Sequence, residues 1–239
     1  MTAEPVLSIR GVRKQYNALR PLRINQLDVA PGERVALSGL DAGAAEVFVN
    51  LVTGASVPDE GDVRVQGQST AAIADGDQWL ASLDRFGIVS PRAVLLDAAT
   101  LLQNLAMPLT LQIDPVPEDA AATVTSLARE AGIDEGQMAR PIAALPPAVA
   151  MRAHLVRAVI LGPALLVLEH PTARLEQGEG KAFGEAVARV AGARSLATVI
   201  VSEDVEFSEA AASRRLALHA ASGDLKPPRR GFFRLPFST

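Results

Sequence analysis

The sequence has no cysteine in its 239 residues, which excludes disulfides, thiolate metal sites and cysteine nucleophiles. Aromatic residues are scarce, at 4% with a single Trp and a single Tyr, so Leu, Val, Ile and Ala must build the core. There is no basic excess: 23 Lys and Arg stand against 27 Asp and Glu, a formal charge of −4. That argues against a general nucleic-acid binder. The three histidines, His154, His170 and His219, are scattered and lack metal-ligand spacing, so no metal site is expected from them. No segment approaches the ~18 uninterrupted apolar residues of a spanning helix. The start MTAEPVLSIRGVRK carries charge where a signal peptide would be apolar. A soluble, cytoplasmic protein is the expectation. Hydrophobic residues make up 49% of the chain, enough for a sizeable core in one large domain or two small ones.

Val6 to Val12 and Leu19 to Val29 read as strands with partial alternation, and Pro31-Gly32 as a turn. The apolar run Arg34 to Ser38 suits a buried strand. A small-residue loop, Gly39 to Gly43, leads to a helix expected over Glu46 to Leu51. Strand, glycine-containing loop, helix is the layout of a phosphate-binding turn. Further strands are expected at Pro58 to Gly67, Phe86 to Val89, Ala164 to Leu168 and Ala197 to Val201. Helices are expected at Glu118 to Ala131, from Pro146-Pro147 through Ile160, at Gly178 to Val190 and at Glu206 to Ala212. Strands alternating with helices imply a mainly parallel sheet covered on both faces. The stretch of about 93–160 reads as an inserted helical subdomain of a domain spanning 1–222. Residues 223–239, rich in Pro, Arg and Phe, read as a flexible basic and aromatic tail. Lys226, Arg229, Arg230 and Arg234 there mix with Phe232, Phe233 and Phe237, a composition suited to a membrane surface or a partner groove.

The order and spacing of these segments resemble an ABC-type ATPase over residues 5 to 220. PGERVALSG resembles the strand entering the phosphate loop, and TGASVPDEGDVRVQG the family's TG…P-x-x-G-x-V-x-x-G stretch. LLQNLAMPL resembles the helix start that contacts the membrane subunit. RAHLVRAVILGPALLVLEHPTARLE resembles the run from the signature helix through the second nucleotide motif. The resemblance implies an α/β fold: a P-loop-type, mainly parallel sheet flanked by helices, with an N-terminal antiparallel β part. It also implies ATP and Mg²⁺ as cofactors, a membrane permease as partner, and dimerisation with a copy or with another ABC-type ATPase. The location it implies is the inner face of the membrane.

The chemistry departs from the pattern at six places. In G-x-x-x-x-G-K-[ST], backbone N–H groups surround the phosphates, Lys bridges the terminal ones and Ser/Thr holds Mg²⁺. Here the segment is Gly39-Leu40-Asp41-Ala42-Gly43-Ala44-Ala45-Glu46, so Ala44 replaces the second glycine, Ala45 the lysine and Glu46 the hydroxyl. Losing a partner from a buried charged hydrogen bond costs about 2–5 kcal/mol, roughly a hundredfold or more in affinity. Asp41 and Glu46 stand where they can occupy the positive helix start themselves. The Asp-Glu pair of the second motif is Glu169-His170, where His170 is able in principle to accept a proton near neutral pH. The signature L-S-G-G-Q reads Leu145-Pro146-Pro147-Ala148-Val149, with two N–H groups and every side-chain donor gone. The Mg²⁺-sensing glutamine aligns with Pro91, the switch histidine with Glu203, and the S/G-x-L-D loop with Ala173-Arg174-Leu175-Glu176. Tyr16 survives where the family stacks an aromatic on adenine, but stacking supplies only ~1–3 kcal/mol.

Three functions compete on this reading. One is a non-catalytic subunit that docks to a permease near Leu95 to Leu109, with ATP and Mg²⁺ bound weakly or not at all. The second is a working ATPase with a divergent site in which Glu169, His170 and Glu203 are the candidate catalytic positions. The third is a regulatory module that keeps the fold and has left transport. The chain's weak leaning within the family is toward lipoprotein-release and macrolide-export subunits.

Overall fold

Alternation of apolar and polar residues makes the first two segments half-buried strands. In the computed structural model, which describes residues 4–73 and 75–228, they are β1 (Leu7–Lys14) and β2 (Leu22–Val29). The two pair antiparallel, with Leu7 opposite Val29. β3 (Arg34–Ser38) follows and feeds α1 (Ala42–Val52). β4 (Glu60–Val65) returns to pair with β1, and β5 (Gln68–Ser69) with β4. This gives a four-stranded antiparallel sheet in the order β2-β1-β4-β5. α2 (Gly76–Ser82) leads to β6 (Phe86–Val89). Three helices then run without an intervening strand: α3 (Leu101–Ala106), α4 (Glu118–Glu130) and α5 (Pro147–Val159). β7 (Leu165–Glu169), α6 (Glu179–Ala193), β8 (Ala197–Val201) and α7 (Val205–Ala211) alternate. β9 (Arg214–His219) and β10 (Asp224–Lys226) close the described chain.

The second sheet has six strands in the order β10-β9-β3-β8-β7-β6. The five from β9 to β6 are parallel, and β10 is antiparallel. β7 and β8 are buried at every position, as a parallel sheet covered on both faces requires. Their alternate residues feed two cores. Leu166, Leu168 and Ile200 face the helices α3 to α6, and Leu165, Val167, Val199 and Val201 face α1 and the antiparallel sheet. The α/β architecture with a mainly parallel sheet and an antiparallel N-terminal part is therefore the one the sequence implies.

Several boundaries differ from the sequence reading. α1 begins at Ala42, four residues before Glu46, because the Asp41 carboxylate accepts the Ala44 N–H at 2.8 Å and sets the start. The strand expected from Leu19 begins at Leu22, and Leu19 itself is exposed. α3 starts only at Leu101, behind a Thr100–Gln103 capping box. α2, β5 and β9 were not expected. β10 lies within 223–239, so the sheet takes in residues assigned to the tail; Arg229, Arg230, Phe232, Phe233, Arg234 and Phe237 lie outside the described residues. Among the described residues, no helix is long and apolar enough to cross a membrane.

Candidate functional site

The C-terminal ends of β3, β7 and β8 converge on one loop. It leaves β3 through Gly39, whose φ is +85° and whose added Cβ would lie 2.7 Å from the Leu218 carbonyl oxygen, so only glycine fits there. The Gly39 N–H donates to Glu203 Oε1 at 2.7 Å, and Glu203 stands two residues beyond β8. Asp41 caps α1, as described above. Two amides of the loop thus donate to two of the chain's own carboxylates, in charge-assisted bonds at a positive helix start. Ala44 is buried and Ala45 has no exposed surface. Tyr16 packs over the loop: its ring lies 3.5 Å from where a Cβ on Gly43 would stand. Desolvation and then the Asp41 carboxylate hold its hydroxyl above the usual tyrosine pKa.

A second polar cluster sits beside this loop. Glu169, last in β7, has a side chain only 5% exposed. Its Oε2 accepts the Ser90 hydroxyl at 2.8 Å and Arg92 Nη2 at 2.7 Å. The other guanidinium nitrogen, Nη1, reaches Glu46 Oε1 on α1 at 2.5 Å. The Arg92 backbone N–H and Nε also approach the Ser90 oxygen, at 3.2 and 3.4 Å. One guanidinium therefore bridges the carboxylates of β7 and α1, and a buried carboxylate gains the cation that burial demands. Glu46 lies beyond the first turn of α1 and pairs with Arg92, so of the two carboxylates read as internal anions only Asp41 caps the helix start. Pro91 lies between Ser90 and Arg92 and has no N–H to offer.

His170 follows Glu169 with φ +39°, a left-handed conformation that is costly for a residue with a Cβ. Its N–H donates to the Val201 carbonyl at 2.8 Å, extending the ladder with β8, and its carbonyl accepts Ala173 N–H at 3.1 Å. Its Nε2 is buried without a hydrogen-bond partner among the described residues. The motif Leu145 to Val149 forms the start of α5. Pro146 is the cap, without a side-chain bond, and Pro147 is the first helical residue. Val149, at the position of the amide side chain, points into the core.

Tyr16, Gly39, Asp41, Gly43, Ala44, Ala45, Glu46, Glu169 and Glu203 thus gather around one loop. His170 adjoins it through the backbone, and Pro91 only flanks it. Sequence reasoning missed Arg92 and Ser90. The signal for Arg92 was present: two carboxylates at adjoining motif positions need a cation, and Arg92 stands beside the aligned Pro91. Asp41, Glu46, Glu169 and Glu203 set four formal negative charges against the one of Arg92, leaving −3.

Architecture and site together define the class: the fold is that of an ABC ATPase cassette. The chain superposes on a dimeric ATP-binding cassette bound to ADP and Pi in a post-hydrolysis state, with a TM-score of 0.74, 19% identity, and coverage of 95% of this chain and 100% of that one. It also superposes on a Clostridium perfringens subunit of the ABC transporter complex cbiONQ, with a TM-score of 0.76 and 18% identity over 93% of this chain and 87% of that one. The sequence relatives narrow the class, and this chain is a homologue of ABC transporter ATP-binding subunits. It is 28% identical over 212 residues to the lipoprotein-releasing system ATP-binding protein LolD of Pseudomonas syringae pv. tomato, covering 87% of this chain and 92% of the relative. It is also 28% identical over 232 residues to the Fe(3+) ions import ATP-binding protein FbpC of Serratia marcescens, covering 92% and 64%. No family model matches the chain.

Proposed function

We propose that this chain is a non-catalytic ABC-type subunit of a membrane transport complex, working at the cytoplasmic face of the membrane. The observation that carries the reading is the filled phosphate loop: Gly39 and Ala44 N–H groups donate to Glu203 and Asp41, and the lysine position is the fully buried Ala45. Mg-ATP does not fit these residues. A triphosphate would have to displace two tethered carboxylates, with no lysine to offset the loss, and enter a region of formal charge −3. Tethered groups compete at effective concentrations in the millimolar range or above. The position of the metal hydroxyl holds Glu46, already paired with Arg92.

The permease would meet the helical part near Leu95 to Leu109. Exposed Val94, Leu96, Leu109 and Leu111 in that region support the reading, since soluble surfaces seldom cluster large apolar side chains without a partner. The groove beside them, about 340 Å³, is lined by apolar side chains including Phe86, Ile88, Pro108 and Leu161, with Asp84, His154 and Arg157 among them. The chain would pair with a copy or with an ATP-competent homologue. Because the signature segment has lost its donors as well, even a mixed pair would hydrolyse ATP slowly. Isothermal titration with Mg-ATP tests the reading: no binding tighter than about 100 µM is expected, a weak interaction of roughly 5.5 kcal/mol. Tighter binding, with turnover abolished by His170→Ala, would establish a divergent ATPase instead. Pull-down of a polytopic membrane protein, lost on deleting 95–109, separates a transport subunit from a free regulatory module.

A further inference from the structure

The loop that joins β6 to α3, residues 90–100, is the connection from the sheet into the helical part. Besides backbone bonds from Ile142 to Ala99 and from Ala143 to Asp97, side chains hold it at three places. At its end, the fully buried Asn104 side chain accepts the Leu96 N–H at 2.7 Å and donates to the carbonyls of Leu96, Ala99 and Thr100 at 3.0 to 3.3 Å. In the middle, Arg157 of α5 donates to the Val94 carbonyl at 2.8 Å. Both of these contacts tie the loop to the helical part. At its beginning, Ser90 donates to Glu169 of β7, and among the described residues Arg92 is the one cation that ties it to the sheet side, through Glu169 and Glu46 of α1.

We infer that Arg92 is a built-in cation, seated in an oxygen cage of Glu46, Glu169 and Ser90, that fixes the link between the sheet and the helical part without nucleotide or metal. Three features carry this. Two carboxylates and a hydroxyl, oxygen donors of the kind a hard divalent cation takes, each meet a different nitrogen of the one guanidinium. Glu169 is buried and would be left uncompensated without the guanidinium. The two carboxylates belong to different elements, so the bridge is structural as well as electrostatic. Arg92 is thus a positioning residue: it orders residues 92–99, and with them the surface proposed to face the permease. The inference rests on the non-catalytic reading in one respect, that no magnesium ion competes for the carboxylates.

Amide hydrogen exchange on the full chain, with no nucleotide present, tests it. Arg92→Ala is expected to speed exchange across 92–99 about tenfold or more, the equivalent of losing one good contact, while β3 and β8 stay protected. Guanidinium ion at about 50 mM, near its effective range in a preformed cage, is expected to slow that exchange again in Arg92→Ala, where urea at the same concentration does not. Manganese added to Arg92→Ala is expected to bind with Kd on the order of 10⁻⁴ to 10⁻³ M, and not to bind the unaltered chain. If Arg92→Ala fails to fold, Glu46→Gln keeps the test: Glu46 is half exposed, and its loss must loosen the same segment to a smaller degree. Unchanged exchange in both variants overturns the inference, as does the absence of both guanidinium rescue and manganese uptake in Arg92→Ala. Mg-ATP binding by the unaltered chain, with the segment still ordered, would instead sink the non-catalytic reading alone.

Discussion

Two helix starts in this molecule occupy positions that in the resembled family meet phosphate, and they differ in the donors they present. α1 keeps its N–H donors but covers them: Asp41 accepts from Ala44, and Glu203 accepts from Gly39 just ahead of it. α5 has fewer donors to cover. Pro146 and Pro147 remove two N–H groups, no side chain caps the helix, and the Val149 N–H bonds back to the Pro146 carbonyl. A helix start has only four free N–H groups to give. Under the proposed non-catalytic function one site is blocked and the other stripped, and repairing one would do nothing for the other. The difference also separates what holds each helix from what each helix end does. α1 buries Phe48, Val49, Leu51 and Val52, and α5 buries Met151, Leu155, Val156 and Val159. Packing seats both helices, and the ends are free to change.

The sharpest way to break that comparison is to attack the packing. Phe48 is fully buried in α1 and Leu155 in α5. Phe48→Ala is expected to cost about 3–5 kcal/mol and Leu155→Ala about 2–5 kcal/mol, read from urea midpoints at unchanged slope. A loss below about 1 kcal/mol in Phe48→Ala would mean that the contacts at the helix start, and not its core face, seat α1.

A smaller effect distinguishes the α5 surface. His154, on α5, has its pKa lowered from 6.5 to about 4, by desolvation first and then by the charges of Arg157 and Arg174. The folded state thus favours the neutral ring. Above pH 6.5 both states are neutral at this position and its stability contribution is complete. As pH falls from 6.5 toward 4 the unfolded chain takes a proton that the folded chain refuses, and stability is lost. Allowing for solvent around a half-buried ring, the loss is on the order of 1–2 kcal/mol. Replacing His154 with Gln should flatten the pH dependence between 6.5 and 4. An unchanged slope would show that other groups set it.

The sequence made the framework legible wherever a burial period was strong. β3, β6 and β8 fall where Arg34 to Ser38, Phe86 to Val89 and Ala197 to Val201 were read, because strands of a covered parallel sheet are short apolar runs between turns, even where the edge strand β6 is only partly buried. α4 was legible from its amphipathic period and Pro117. β9 was not: Arg214 and Arg215 open it, and its place depends on pairing with β3 about 180 residues away. Around the site, the substitutions at Ala44, Ala45 and Glu46 were plain from motif alignment, and Asp41 as an internal anion followed from its position before a helix. Which partner each carboxylate takes was not local information. Glu203 reaches Gly39 only because β8 lies beside β3, and Arg92 reaches Glu46 and Glu169 only because the loop after β6 crosses the end of β7.

The finest test of blocked against stripped uses one substitution at each helix start, with stability changes of opposite sign expected. Asp41→Ala removes a cap and should cost about 1 kcal/mol, but it frees the Ala44 N–H, so inorganic phosphate should raise the melting temperature of this variant more than that of the unaltered chain. Pro146→Ser puts a hydroxyl at the cap of α5, where no side chain now bonds, and should add about 0.5–1 kcal/mol. It should leave phosphate sensitivity unchanged, because Pro147 still withholds the next N–H. Thermal melts with and without phosphate read both quantities in one experiment. If Pro146→Ser gained phosphate sensitivity and Asp41→Ala did not, the donors at α5 would be the intact set and those at α1 the missing one, and the assignment of the two helix starts would have to be exchanged.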